Sequence, residues 1–134
     1  MFGSDKKYFP TDTSVFVFGS NLAGIHGGGA AAVAAKDYGA ISGIGFGFMP
    51  GNKGLGSCYA IPTKDETIKK PLRLTELAYW IDKFNQWAIV EGGRYSEIFV
   101  TRIGCGLAGF KERDVAQFFW PLYWPSNVTL PTGW

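Results

Sequence analysis

Soft metal ligands are scarce in this sequence. Two cysteines, Cys58 and Cys105, and one histidine, His26, stand among 134 residues. The cysteines show no CxxC spacing, so neither a zinc site nor any other metal or cofactor is expected. Long apolar runs are missing too: the longest is under ten residues, against the roughly 20 a membrane helix needs. No basic segment followed by an apolar one opens the chain, so a secretory signal is not expected and a cytoplasmic protein is. Neither charge sign dominates. Thirteen Lys and Arg against eleven Asp and Glu leave a net charge of +2, which gives no strong signal for nucleic acid or membrane. Glycine and aromatics are what the chain has in plenty, 19 glycines and 16% aromatic residues. The glycines follow no fixed period, which excludes collagen. With 46% hydrophobic and 18% charged residues, disorder is excluded as well. The length predicts one domain over 1–134, its first 13 residues a polar tail or capping strand.

The apolar run Ser14 to Phe18 reads as a strand covered on both faces, ended by Gly19. A glycine-rich stretch leads to AAAVAAKDY, a strong helix former, with Gly39 as its stop. Ile41 to Phe48 reads as a strand or irregular ribbon, and 49–56 as a loop. Ser57 to Ile61 predicts a strand broken by Pro62. Leu74, Leu77, Ile81, Phe84 and Ala88 share one face of a helix of about four turns. Ile98 to Ile103 predicts a strand, Lys111 to Trp120 a short helix with Val115, Phe118 and Phe119 inward, and Asn127 to Leu130 a last strand. Strands alternating with helices predict an α/β three-layer sandwich around a mainly parallel or mixed central sheet.

Two glycine loops follow two of these strands, GSNLAGIHGGG at 19–29 and GCGLAGF at 104–110. In an open α/β sheet, ligands gather beyond the carboxyl ends of the strands. Glycine lets backbone N–H groups approach an anion, and a following helix N-terminus adds partial positive charge. A phosphate-bearing ligand is therefore expected, although each loop taken alone reads equally well as a simple turn. Neither matches a Walker loop or GxGxxG. The Asn21 amide can meet a ligand hydroxyl or stabilise its own turn. His26 has no orienting carboxylate nearby in sequence and reads as a hydrogen-bonding residue rather than a base. Lys64 can hold an anion, attack a sugar aldehyde as an amine, or pair with Asp65 in a solvated turn. Cys105 either becomes a thiolate in its glycine loop or packs beneath it. Phe46, Phe48, Tyr59 and Phe110 are candidates for stacking on a base, or core.

The order strand, Asn, Gly-Gly-Gly and helix (Val15 to Ala35), then YAIPTKD (59–65), an amphipathic helix, and TRIGCGLAGF (101–110) resembles a macrodomain. The likeness is greatest to the terminal ADP-ribose glycohydrolase branch and its bacterial antitoxin relatives. Macrodomain-like phage and bacterial proteins of uncertain function look similar as well. It covers roughly residues 14–120. The resemblance implies that Asn21 contacts the distal ribose and that Gly27, Gly28 and Gly29, with Ser20 and Thr63 beside them, line the ribose and phosphates. Gly104, Cys105, Gly106, Leu107, Ala108, Gly109 and Phe110 would form the loop around the diphosphate. Lys64 falls where that branch carries its catalytic lysine, which makes Lys64, Asn21 and Asp65 the catalytic candidates. Two departures stand out. Ala108 replaces the aspartate that the branch carries after GCGL, with Asp65 or Asp114 as the nearest substitutes. The adenine-binding aspartate expected upstream of the first strand has only Asp12 as a weak match.

Three readings follow. The first is a module that binds ADP-ribose or a related nucleotide diphosphate-ribose. The second is a hydrolase that removes ADP-ribose from protein or nucleic acid through Lys64. The third is an interaction module with a vestigial cleft, in which Trp120, Trp124 and Trp134 near the C-terminus meet a partner or a second copy of the chain.

Overall fold

The computed structural model describes residues 13–51, 56–119 and 126–134. All of the expected tail but Thr13, Asp12 included, lies outside them, as do Trp120 and Trp124. The chain runs β1 (Ser14–Asn21), α1 (Gly29–Asp37), β2 (Gly47–Met49), β3 (Ser57–Lys64), α2 (Leu74–Glu91), β4 (Glu97–Val100), α3 (Glu112–Ala116) and β5 (Val128–Thr129). The strands form one mixed sheet in the order β2-β3-β1-β4-β5. β1 is parallel to β3 and β4, and β4 to β5, whereas β2 runs antiparallel to β3.

Alternation along β1 sorts its side chains onto two faces. Val15 and Val17 join Ile61, Leu77, Ile81, Phe84 and Val115 in the core under α2 and α3. Phe16 and Phe18 face the other way, with Ala31, Ala34 and Tyr38 of the α1 region. Helices thus cover both faces of the sheet, the layered α/β architecture expected from the sequence. The small side chains of α1 let its backbone lie close to the sheet, and the Phe16 and Tyr38 rings stack at 4.8 Å. Gly39, at φ +81, turns the chain out of α1. The Ala34 carbonyl accepts there from the N–H groups of Tyr38 and Ala40.

Several boundaries differ from the sequence reading, each for a local reason. Pro62 does not break its strand: β3 continues to Lys64, with Pro62 opposite Ser20. β2 pairs β3 only as far as Ala60. The segment that adjoins β3 farther on meets it at Thr63 and Lys64, where the Leu72 N–H donates to the Thr63 carbonyl at 2.9 Å and Pro71 bridges Lys64. Pro62 falls between the two neighbours, where its missing N–H is tolerated. Of Ile41 to Phe48, only Gly47 and Phe48 are strand, in β2. β4 ends at Val100, because Thr101 closes its end: both its N–H, at 3.1 Å, and its hydroxyl, at 2.7 Å, donate to the Val17 carbonyl. β5 is shorter than Asn127 to Leu130. α2 runs beyond the expected four turns to Glu91. Leu74 at its start is exposed, and the polar Asn85 is wholly buried, its Nδ2 donating to the Phe118 carbonyl at 2.8 Å. Trp134 packs against Phe119 with ring centres 5.7 Å apart, and its indole N–H donates to Glu112. Among the described residues no helix is long and apolar enough to cross a membrane.

Candidate functional site

Because β1, β3 and β4 are parallel, their carboxyl ends reach the same edge of the sheet, and there a cleft of about 780 Å³ opens. Gly19, Ser20 and Asn21 come from the end of β1, Thr63 and Lys64 from β3, and Thr101 and Arg102 follow β4. The floor is tight. A Cβ on Gly19 would lie 3.3 Å from Thr63 Cγ2 and 3.5 Å from the Gly104 nitrogen. The buried Thr63 hydroxyl donates to the Ser20 carbonyl at 3.0 Å, where the β1–β3 register shifts.

The two glycine loops meet across this cleft. Gly27, Gly28 and Gly29 line one wall, and Gly104 to Ala108 the other. Between the two walls, a Cβ on Gly28 would be 3.6 Å from Leu107 Cδ1. No side chain caps the N-terminus of α1, so the N–H groups of Gly29, Ala30 and Ala31, beside the cleft, have no intrahelical partner. In the other loop, the Phe110 N–H donates to the Gly104 carbonyl at 2.9 Å and the Gly109 N–H to that of Gly106 at 3.1 Å. Gly106, Leu107 and Ala108 have no such N–H bond among the described residues. Two sets of N–H groups without a partner among the described residues therefore border one space, an arrangement that suits phosphate oxygens.

The charged side chains lining the cleft are Lys64 and Arg102, and among the described residues no carboxylate lines it. Arg102 is ion-paired with Glu112, which is not part of the lining. Lys64 has no ion-pair partner among the described residues. Among the described residues the lining is cationic and holds no acid.

The side chains singled out from sequence take varied places. Asn21 lines the cleft with its amide committed to its own loop: Nδ2 donates to the Ile25 carbonyl at 2.8 Å, and Oδ1 accepts the Ile25 N–H at 3.0 Å. His26 Nε2 lies 3.1 Å from the carbonyls of both Ile41 and Ile44, and Nδ1 is 3.4 Å from the Ser20 hydroxyl. An Nε2–H tautomer donates to those carbonyls and leaves Nδ1 to accept, so the ring staples the loop to the turn before β2. Cys105 lines the cleft as a thiol. Burial and the nearby Glu112 push its pKa up to about 11, so no thiolate forms near neutrality. Asp65, Gly109 and Phe110 do not line the cleft. The Asp65 carboxylate accepts the Thr67 N–H at 2.9 Å and the Thr67 hydroxyl at 2.5 Å. That hydroxyl holds its pKa below the usual value. Phe110 packs over Gly104. Of the other stacking candidates, Phe48 lies against Trp87, while Phe46 and Tyr59 border a separate groove beside Trp80.

Sequence reasoning missed Thr101, Arg102, Ile25 and Ile68, all of which line the cleft. The first two stand directly before a glycine loop and could have been found from that. Nothing in the sequence marks Ile68, which reaches the cleft through a turn held by Asp65.

No protein-family model matches the chain, and no curated protein sequence matches it. Among solved structures, the macrodomain of Mycobacterium tuberculosis DarG superposes with a TM-score of 0.55. The match covers 98% of this chain and 95% of that one, at 19% identity. The chain has a macrodomain-like fold.

Proposed function

We propose that the protein binds ADP-ribose or a related nucleotide diphosphate-ribose in the cleft between its two glycine loops. One observation carries this reading: the uncapped N-terminus of α1 and the N–H groups of Gly106 to Ala108 border one cleft whose charged lining is Lys64 and Arg102. A diphosphate would satisfy both sets of donors at once. The macrodomain-like fold supports the same ligand class. A cleft of about 780 Å³ is also of a size that encloses ligands of this kind.

Binding is favoured over hydrolysis. An amine nucleophile needs a partner that moves protons, a contribution of typically 10²–10⁴-fold. Asp65 is tied to Thr67 outside the cleft, and Ala108 offers no acid inside it. The hydrolase reading keeps one observation in its favour, Lys64 in the cleft wall with no ion-pair partner among the described residues.

Isothermal titration with ADP-ribose, set beside ADP and ribose 5-phosphate, tests the proposal. Saturable one-to-one binding of ADP-ribose, weakened in Lys64→Ala, is the expected result. No heat of binding at millimolar ligand would reject it. Turnover of ADP-ribosyl conjugates near an ordinary enzymatic rate, about 1 s⁻¹, would replace it with the hydrolase reading.

A further inference from the structure

Asn21 and Lys64 are register partners at the ends of β1 and β3, and the Leu22 N–H donates to the Lys64 carbonyl at 3.0 Å. Beyond both residues the chain leaves the sheet. Four positions past each stands an isoleucine, Ile25 after Asn21 and Ile68 after Lys64, and both line the same cleft. Ile25 is 49% exposed and Ile68 37%. Exposed aliphatic side chains beside an anion-binding space need a reason.

Two residues expected from sequence to act on the ligand instead order the turns that carry these isoleucines. The Asn21 amide clasps the Ile25 backbone in both directions. The Asp65 carboxylate braces Thr67, and the Asp65 carbonyl accepts the Ile68 N–H at 3.1 Å. Ile68 itself has φ +60 and is the one non-glycine residue with positive φ among the described residues. A β-branched side chain is disfavoured in that region, where glycine or asparagine would sit at little cost. Strain of this kind persists at sites where the side chain, rather than the turn, serves the function.

We infer that Ile25 and Ile68 form an apolar clamp on the cleft beside Lys64, and that the ligand presents an uncharged apolar or aromatic group there. This rests on the reading of the cleft as a site for a nucleotide diphosphate-ribose. A neutral ring between two isoleucines covers aliphatic surface that otherwise faces water. A free ribose hydroxyl covers little of it, a carboxylate would lose hydration against it, and a cationic ring would meet Lys64.

Three probes separate these cases by isothermal titration: ADP-ribose, NADH, whose second ribose bears a neutral dihydronicotinamide, and NAD⁺, whose ring is cationic. NADH should bind more tightly than ADP-ribose by about tenfold, the scale of covering one aliphatic side chain, and more tightly than NAD⁺. In Ile25→Ala and in Ile68→Gly, the ratio of NADH to ADP-ribose affinity should fall toward one. Ile68→Gly should melt no lower than the parent, since glycine relieves the strained φ, which separates a lost contact from a lost fold. A parent that binds ADP-ribose but prefers it to NADH overturns the clamp, as does a ratio that survives in both variants. A parent that binds none of the three rejects the proposed function itself, and the clamp with it.

Discussion

Gly45 packs directly on Asn21: a Cβ on Gly45 would lie 1.8 Å from the Asn21 carbonyl oxygen and 3.3 Å from the Gly24 nitrogen. Backbone meets backbone there, so no rotamer change can make room. Gly45→Ala must push the turn before β2 away from the end of β1, at a cost of about 1–3 kcal/mol or more. Gly43→Ala is the control. It has φ +92 and open space around it, so only conformational strain of roughly 1–2 kcal/mol applies. Urea unfolding should give a clearly lower midpoint for Gly45→Ala, and equal midpoints would contradict the contact.

Gly104 and Gly106 should separate folding from binding. Gly104 has φ +74, and a Cβ there would press on Phe110 Cδ2 at 2.9 Å. Gly104→Ala is therefore expected to lose stability by about 1–3 kcal/mol, through strain and overpacking together. Gly106 has nothing within 4 Å of such a Cβ and no positive φ, yet it lines the cleft. Gly106→Val should melt close to the parent and lose ADP-ribose affinity by roughly tenfold or more, about 1.4 kcal/mol per factor of ten. A Gly106→Val protein that binds like the parent would put the diphosphate elsewhere.

Substitutions at Asn21 test whether its amide serves the loop or the ligand. Asn21→Ala removes both bonds to Ile25 and should weaken ADP-ribose binding by about 1–3 kcal/mol, the usual cost of unpaired polar groups. Asn21→Asp keeps an acceptor for the Ile25 N–H but loses the donor, and it brings negative charge into a cleft charged by Lys64 and Arg102. It should therefore bind the anion more weakly than Asn21→Ala while melting higher. The reverse order in titration and melting would show that the amide acts on the ligand itself.

Alkaline pH should destabilise the protein. Burial pushes the thiol of Cys58 and the phenol of Tyr59 up to about 12, and Cys105 rises to about 11. All three are acids whose protonated form the fold favours. Their contribution is complete below the unfolded values, near 9 for cysteine and 10 for tyrosine, and is lost as pH rises through the folded ones. Melting temperature should fall between pH 9 and 12, and Cys58→Ala should soften that fall. A flat profile across this window would contradict the burial of these groups.

Much of the layered architecture was legible because its signals are local. Continuous apolar runs marked β1 and β3, helix formers and a spaced apolar face marked α1 and α2, and glycine marked the two loops after β1 and β4. Hydrophobic burial acts on each of these segments whatever its neighbours do. The convergence of the loops followed as well, since parallel strands carry their carboxyl ends to one edge. Strand boundaries were not legible. Pro62 continues β3 because β2 stops short of it, and β4 ends where Thr101 turns its hydroxyl back to Val17. Both depend on what lies alongside.

The sequence by itself determined which segments could pair and pack, and it placed glycine, Asn21 and Lys64 at the strand ends that border the cleft. Only the tertiary structure decided how the polar side chains there are spent. The Asn21 amide is taken by Ile25, the Asp65 carboxylate by Thr67, and His26 by the carbonyls of Ile41 and Ile44. Hydrogen-bonding capacity is fixed by residue type, but its partner is fixed by distance. Distance is settled only when the loops close, and it leaves a cleft lined by Lys64, Arg102 and two exposed isoleucines.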